Sequence, residues 1–385
     1  MGREDALSGY RVLDLTDEKG MLCSRLLSDM GAEVFRIEKP GTESARVFDE
    51  ANRGKLNITL NIESKPGQDI FKRLVKTADA VIESYPPGYL ESLGLSYSRL
   101  NETNPRLIMA SITNFGQDGL YRDYKSSDMV ASALGGQMYV CGEPQMLPLK
   151  PFGNQVYYTA SILAAIGIAL ALWSRHTTSK GQHIDISLQE CAATTLDHVL
   201  VRYFYEGLVA KRQGSLHWNN AFRIFPCRDG YILLSLLQHW ETLVEWLESE
   251  GMAEDLPNEK WREREYRLKH LGHVIEVLEQ WTKTHTATEL VELGQLMHFP
   301  WAKIASIPEL LDSPQLKERG FFVEVEDPQA GRKYKAPGAP CKLSRSPWQA
   351  GERVPSIGGH NMKIYHGEMG LSEDEIEALV KDRVI

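Results

Sequence analysis

Between residues 156 and 173 the chain carries no charged side chain and is dense in Ala, Gly, Ile and Leu. A run of this length would reach across a bilayer if it were a helix. Two flanking features predict otherwise. Tyr157, Tyr158, Thr159 and Ser161 crowd its first turns with polar groups, and Ile184-Asp185-Ile186-Ser187 soon after it alternates as a strand does. A helix buried on all sides within a large protein accounts for both.

The preceding sequence supplies a sheet for such a helix to cover. Residues 10–15, 32–38, 80–83 and 106–112 read as short apolar strands, and residues 21–30 and 69–77 as helices between them. Strands alternating with helices predict an α/β fold with a doubly wound, mostly parallel sheet, whose ligands bind beyond the carboxyl ends of the strands. Residues 189–207 read as a further helix, and the region from 220 to 330 as a smaller α/β domain with amphipathic helices at 239–250, 270–284 and 287–296. The chain of 385 residues is thus expected to form a large domain over 1–205, completed by 335–385, and a small domain over 220–330.

Several chemistries find no support. No GxGxxG follows the first strand, no GxSxG elbow occurs, and no HExxH or CxxC is present. The net charge of −9 argues against nucleic acid or an anionic membrane surface as a partner. Five scattered cysteines, without a pairing motif, read as reduced thiols in a cytoplasmic protein without structural zinc. The polar residues 1–5 predict no secretory signal. His183 reads as structural, His198 as a core or interface histidine, and Tyr203-Phe204-Tyr205 as core packing ahead of a surface for an aromatic acyl group.

An ordered set of loop motifs carries a resemblance. It comprises Gly31-Ala-Glu-Val-Phe-Arg-Ile-Glu-Lys-Pro-Gly41, Asn52-Arg-Gly-Lys55, Pro87-Gly88 with Leu93-Gly94-Leu95, and Asn104-Pro-Arg-Leu-Ile108. Phe115-Gly-Gln-Asp-Gly-Leu-Tyr-Arg-Asp123, the long apolar run followed by Lys180-Gly-Gln-His183, and Gly358-Gly-His-Asn361 extend the set along nearly the whole chain. In this order the motifs resemble the class III CoA-transferases, the formyl-CoA and carnitine-CoA transferase family. The resemblance implies an interlocked dimer, with coenzyme A or an acyl-CoA as substrate lying along the large domain and no metal. It makes Lys39, Arg36 and Arg106 candidates for the CoA phosphates, where basic side chains give charge-assisted hydrogen bonds. It sets Pro87 and Gly88 beside the adenine or pantetheine path.

The same resemblance exposes what the chain lacks. The family attacks the acyl thioester with an aspartate at the start of the long helix, and an ungapped alignment puts Tyr157 there. A phenol with a reference pKa near 10 is a poor substitute for a carboxylate near 4. Shifting the alignment by one or two residues brings Gln155 or Asn154, and neither amide can serve. The racemase branch of the family uses a His-Asp pair that here reads Ser127-Asp128. The first loop, Thr16-Asp-Glu-Lys-Gly-Met21, is shorter and more charged than the family's.

These departures imply the non-catalytic subunit of a heteromeric CoA-transferase. A homologous sister chain would supply the aspartate, as in the paired-subunit members that move CoA from succinyl-CoA to benzylsuccinate. Two alternatives stay open. One is an active homodimer with a displaced carboxylate, Asp128, Glu143 or Glu190, although Asp128 reads more simply as the N-cap of a helix over 129–140. The other is an acyl-CoA-binding protein without a catalytic partner.

Overall fold

A computed structural model of the chain describes residues 5–42, 49–217, 222–236, 238–328, 331–351 and 353–385. The chain divides into two compact units. One consists of Met1–Met138, Lys150–Val209 and Gln315–Ile385, the other of Tyr139–Leu149 and Ala210–Pro314.

In chain order the elements begin β1 (Arg11–Leu15), α1 (Met21–Asp29), β2 (Glu33–Glu38), β3 (Leu56–Thr59), α2 (Lys65–Val75), β4 (Ala80–Glu83), α3 (Tyr89–Ser92), α4 (Tyr97–Thr103) and β5 (Ile108–Thr113). They continue with α5 (Asp128–Leu134), α6 (Gln137–Val140), α7 (Gln155–Thr178), β6 (His183–Ser187), α8 (Leu188–Thr194) and α9 (Asp197–Glu206). The strands form one six-stranded parallel sheet in the order β3-β2-β1-β4-β5-β6. Chain direction across the sheet therefore reverses between β1 and β4, the place where an open α/β sheet leaves a crevice.

The strands expected at 10–15, 32–38, 80–83 and 106–112 are all present, with ends displaced by no more than two residues. The helix expected at 69–77 begins earlier, at Lys65, because Ser64 caps it by accepting the Gly67 N–H at 3.1 Å and Pro66 is tolerated in the first turn. The helix expected over 189–207 is two, α8 and α9, separated at Thr195–Leu196.

One apolar layer lies on each face of the sheet. Leu13, Phe35, Ile58, Val81 and Met109 face α2, α4 and the C-terminal segment. Val12, Val34, Ile82, Ala110 and Ile112 face α1 and α7. Small residues let α7 lie close to the strands: Ala160, Ala164 and Ala171 are fully or nearly fully buried. At its end the Arg175 guanidinium donates to Asp79 Oδ1 at 2.6 Å and the Arg106 carbonyl at 2.9 Å, tying the helix to the starts of β4 and β5. Gly181 follows, where a Cβ would come within 1.8 Å of the Leu107 carbonyl oxygen.

The expectation of a helix buried on all sides needs correction. Only one face of α7 packs on β5, β6 and α1, and Tyr158, Ile162, Ile166, Leu170 and Trp173 line its opposite face in the open. α9 likewise has no buried residue, so His198 and the Tyr203-Phe204-Tyr205 cluster are not core. The apolar runs were long enough for complete burial, but one sheet can cover only half of a helix's circumference.

The second unit holds β7 (Leu216–His217), β8 (Phe222–Cys227), β9 (Gly230–Ser235), α10 (Trp240–Ser249), α11 (Arg264–Lys269), α12 (Leu271–Thr282), α13 (Ala287–Leu296), β10 (Ala302–Lys303) and α14 (Ile307–Asp312). Its antiparallel sheet, ordered β10-β9-β8-β7, packs its helices around Trp240, Trp261, Trp281 and Trp301.

The chain then runs through α15 (Pro314–Glu318), a hairpin of β11 (Phe322–Asp327) and β12 (Arg332–Pro337), and α16 (Glu373–Lys381). Between hairpin and helix, the Gly-Gly-His-Asn turn covers the outer edge of β3. The Asn57 N–H donates to His360 Nδ1 at 3.0 Å and the Thr59 N–H to Asn361 Oδ1 at 2.9 Å. Side chains thus take the place of a seventh strand on an edge that would otherwise expose unpaired backbone.

Candidate functional site

A groove of about 600 Å³ opens at the carboxyl ends of β1, β2, β4 and β5, across the reversal point of the sheet. Four loops wall it, those containing Asp17, Lys39, Tyr85 and Lys125. Beneath it lies a buried polar network centred on Asp14. That carboxylate accepts from the Ser24 hydroxyl at 2.6 Å, the Thr16 hydroxyl at 2.7 Å and Lys55 Nζ at 2.9 Å, with Arg36 at 3.3 Å. Burial alone would raise its pKa, yet the Lys55 and Arg36 charges with the Ser24 and Thr16 hydrogen bonds together outweigh it and hold Asp14 below the usual carboxylate range. A second link, the Asp17 N–H donating to the Ser84 hydroxyl oxygen at 2.7 Å, joins the loops after β1 and β4.

The basic residues expected at the groove fall into three situations. Lys39 lines it, exposed, with its ammonium on Glu63 at 2.6 Å; Tyr89 donates to the other oxygen of Glu63 at 2.8 Å. Arg36 also lines it, but its guanidinium is committed inward, to Asp14, to Glu38 at 3.4 Å and to the Thr16 carbonyl. Arg106 is not brought there: it lies just before β5, at the end of the strand opposite the groove. Pro87 lines the groove, whereas Gly88, at φ +83°, lines a neighbouring hollow.

Two cationic residues that the sequence reading did not single out, Arg122 and Lys125, complete the wall. The motif that ends at Asp123 stopped two residues short of Lys125, so its continuation was the available signal. The neighbouring hollow, about 320 Å³, holds another missed group. Glu83, at the end of β4, is 4 % exposed and accepts the Tyr85 N–H at 2.7 Å. Burial pushes its carboxyl up to about 7, against the hydrogen bonds from Ser111 and Tyr85. Ser111 in turn meets His183 Nε2 at 2.8 Å.

Tyr157 stands in the first turn of α7, 6 % exposed. Burial pushes its phenol up to about 12, and the negative charges of Glu18, Asp17 and Asp128 add to the rise. The loop after β1 and the start of α7 therefore face each other. Asp128 does not cap its own helix, as the sequence suggested; the Ser127 side chain caps α5. Instead the buried Asp128 carboxylate accepts the N–H groups of Val156 at 2.9 Å and Tyr157 at 3.1 Å, and pairs with Lys150 at 2.8 Å. It satisfies the positive end of α7 from outside. Glu190 is exposed in the first turn of α8, and Glu143 belongs to the second unit. Among the described residues, no group of three or more His, Cys, Asp or Glu side chains is placed to hold a metal.

The description "CoA-transferase family III" matches residues 7–361 of the chain. The chain belongs to this family. Among curated members it is 32 % identical to the succinyl-CoA:(R)-benzylsuccinate CoA-transferase subunit BbsE of Thauera aromatica, over 99 % of this chain and 98 % of that one. It is 30 % identical to the formyl-CoA:oxalate CoA-transferase of Streptomyces avermitilis, with 99 % of each covered. The succinyl-CoA–L-malate CoA-transferase beta subunit of Chloroflexus aurantiacus shares 29 % over 98 % of each chain. Among solved structures, a CAIB/BAIF family protein from Brucella suis superposes with a TM-score of 0.86 at 27 % identity, over 94 % of this chain and all of that one. As a family III chain it is of the class that uses CoA thioesters as substrates.

Proposed function

We propose that this chain is the non-catalytic subunit of a cytoplasmic, heteromeric family III CoA-transferase. Its partner is a homologous chain that carries the nucleophilic aspartate, and the two form an interlocked dimer. The observation that carries the reading is Tyr157 at the start of α7, a phenol buried and pushed up to about 12 where the reaction needs an anion. At pH 7 a phenol with that pKa is ionised in about one molecule in 10⁵. The nearest buried carboxylate, Asp128, is spent on two backbone N–H groups and Lys150, which argues against its use as a displaced nucleophile. Two similar proteins are themselves named as subunits, which supports a heteromer.

The groove across the sheet reversal serves this reading as the CoA site. Lys39 and Lys125 are its phosphate ligands, with Pro87 and Tyr85 along the wall. Lys39 would exchange Glu63 for phosphate, one surface ion pair for a more highly charged one. Arg36 instead holds the groove floor in shape. The partner then performs the chemistry, moving CoA from an acyl-CoA such as succinyl-CoA to a carboxylic acid.

Intact mass of the chain, alone and co-expressed with an aspartate-bearing homologue, tests this. After incubation with succinyl-CoA, a hydroxylamine-sensitive CoA adduct should form on the partner and be absent from this chain. An adduct on this chain alone would refute the non-catalytic reading, and peptide mapping would identify the nucleophile.

A further inference from the structure

The loop after β1 and the start of α7 flank a second cavity, of about 460 Å³, which Glu18 lines while its chain neighbours Asp17 and Lys19 line the groove. Met21, Leu22, Ala51 and Tyr158 give it apolar walls, and Glu18 and Arg25 stand among them. Its size and lining suit the acyl end of a thioester whose CoA lies in the groove, so the inference rests on that reading of the groove.

Every positive element around this cavity already has a negative partner. Arg25 donates to both oxygens of Glu50, at 2.9 and 3.1 Å, and its Nε lies 3.6 Å from Asp29. Lys150 pairs with Asp128, and Lys19 with Asp17. The first amides of α7, which could otherwise receive an anion, donate to Asp128. Glu18 is exposed, and among the described residues it is the charge lining this end that makes no ion pair. A carboxylate entering here would find no free cation among the described residues and would face Glu18. An uncharged apolar group would lose water against Met21, Leu22 and Tyr158 without bringing a like charge up to Glu18.

We infer that the acyl end of this chain's own site takes an uncharged, apolar acyl group and rejects one ending in a carboxylate, with Glu18 as the specificity-determining residue. A like charge about 6–8 Å from Glu18, at the effective dielectric of a protein surface, gives discrimination on the order of tenfold or more.

Calorimetric titration decides it, with CoA, benzoyl-CoA and succinyl-CoA added to the full-length chain together with any subunit that copurifies. Benzoyl-CoA should bind at least about tenfold tighter than succinyl-CoA, and Glu18→Lys, a change at an exposed side chain, should erase or reverse that preference while leaving CoA itself unchanged. Ala51→Phe, which partly fills the cavity, should weaken benzoyl-CoA but not CoA. Equal affinity for the two thioesters, or a preference that Glu18→Lys does not alter, would overturn the inference while the groove reading stands. Failure to bind CoA at all would overturn both.

Discussion

Glu83 offers a prediction whose size follows from its surroundings. Its carboxyl is 4 % exposed, bonded to the Tyr85 N–H, and pushed up to about 7 from an ordinary 4.5 by burial. The folded state therefore holds the proton more tightly than the unfolded chain. Between pH 4.5 and 7 the folded state binds more protons, so the contribution of this group is fully present below about pH 4.5 and is lost as pH rises to about 7. A shift from 4.5 to about 7 corresponds to about 3 kcal/mol. Glu83→Gln has nearly the same shape, keeps an oxygen for the Tyr85 N–H and cannot ionise. Relative to the wild type it should gain stability progressively from pH 4.5 upward, reaching about 3 kcal/mol by pH 8. Urea unfolding of both proteins at pH 5, 6, 7 and 8, followed by fluorescence, measures the difference, since subtraction cancels titrations common to both. A difference independent of pH, or a variant less stable than wild type at pH 8, would refute the argument that burial dominates at this site.

Other consequences can be checked directly. Asp128→Asn removes the charge that neutralises Lys150 and weakens the cap on α7, and should cost about 2–4 kcal/mol, read as a lowered Tm; an unchanged Tm would show that the pair is not structural. Tyr157→Phe deletes the phenol hydroxyl at the start of α7, and should leave turnover of the reconstituted complex within about twofold; a loss of two orders of magnitude would make Tyr157 catalytic. Lys39→Ala and Lys125→Ala should each weaken CoA about fivefold at low salt and less at high salt, as expected of exposed charges on phosphate. Glu63→Gln, which frees Lys39, should strengthen CoA binding, and no change in titration would remove Lys39 from the site.

The sheet and its helices were legible because their signals are local. Ala80, Val81 and Ile82 are apolar enough to be a buried strand wherever they sit, and Gly31 stops α1 with φ +100° regardless of what packs on it. β3 was not legible. Its four residues include Asn57 and Thr59, whose N–H groups on the edge away from β2 are received by His360 and Asn361 from some three hundred residues away. The role of Asp128 was hidden for the same reason: its position in sequence suggests the nearest helix, while its carboxylate serves one that begins 27 residues later.

The sequence by itself determined the family and the parallel sheet, since each depends on which residue stands where along the chain. Tertiary structure alone decided which charges are free. Arg36 looked like a phosphate ligand until the fold buried it against Asp14, and Lys125 drew no notice until a loop carried it to the groove. A side chain's type is written locally, but whether its charge is spent on a neighbour or left for a ligand depends on residues that only folding brings within a few ångströms.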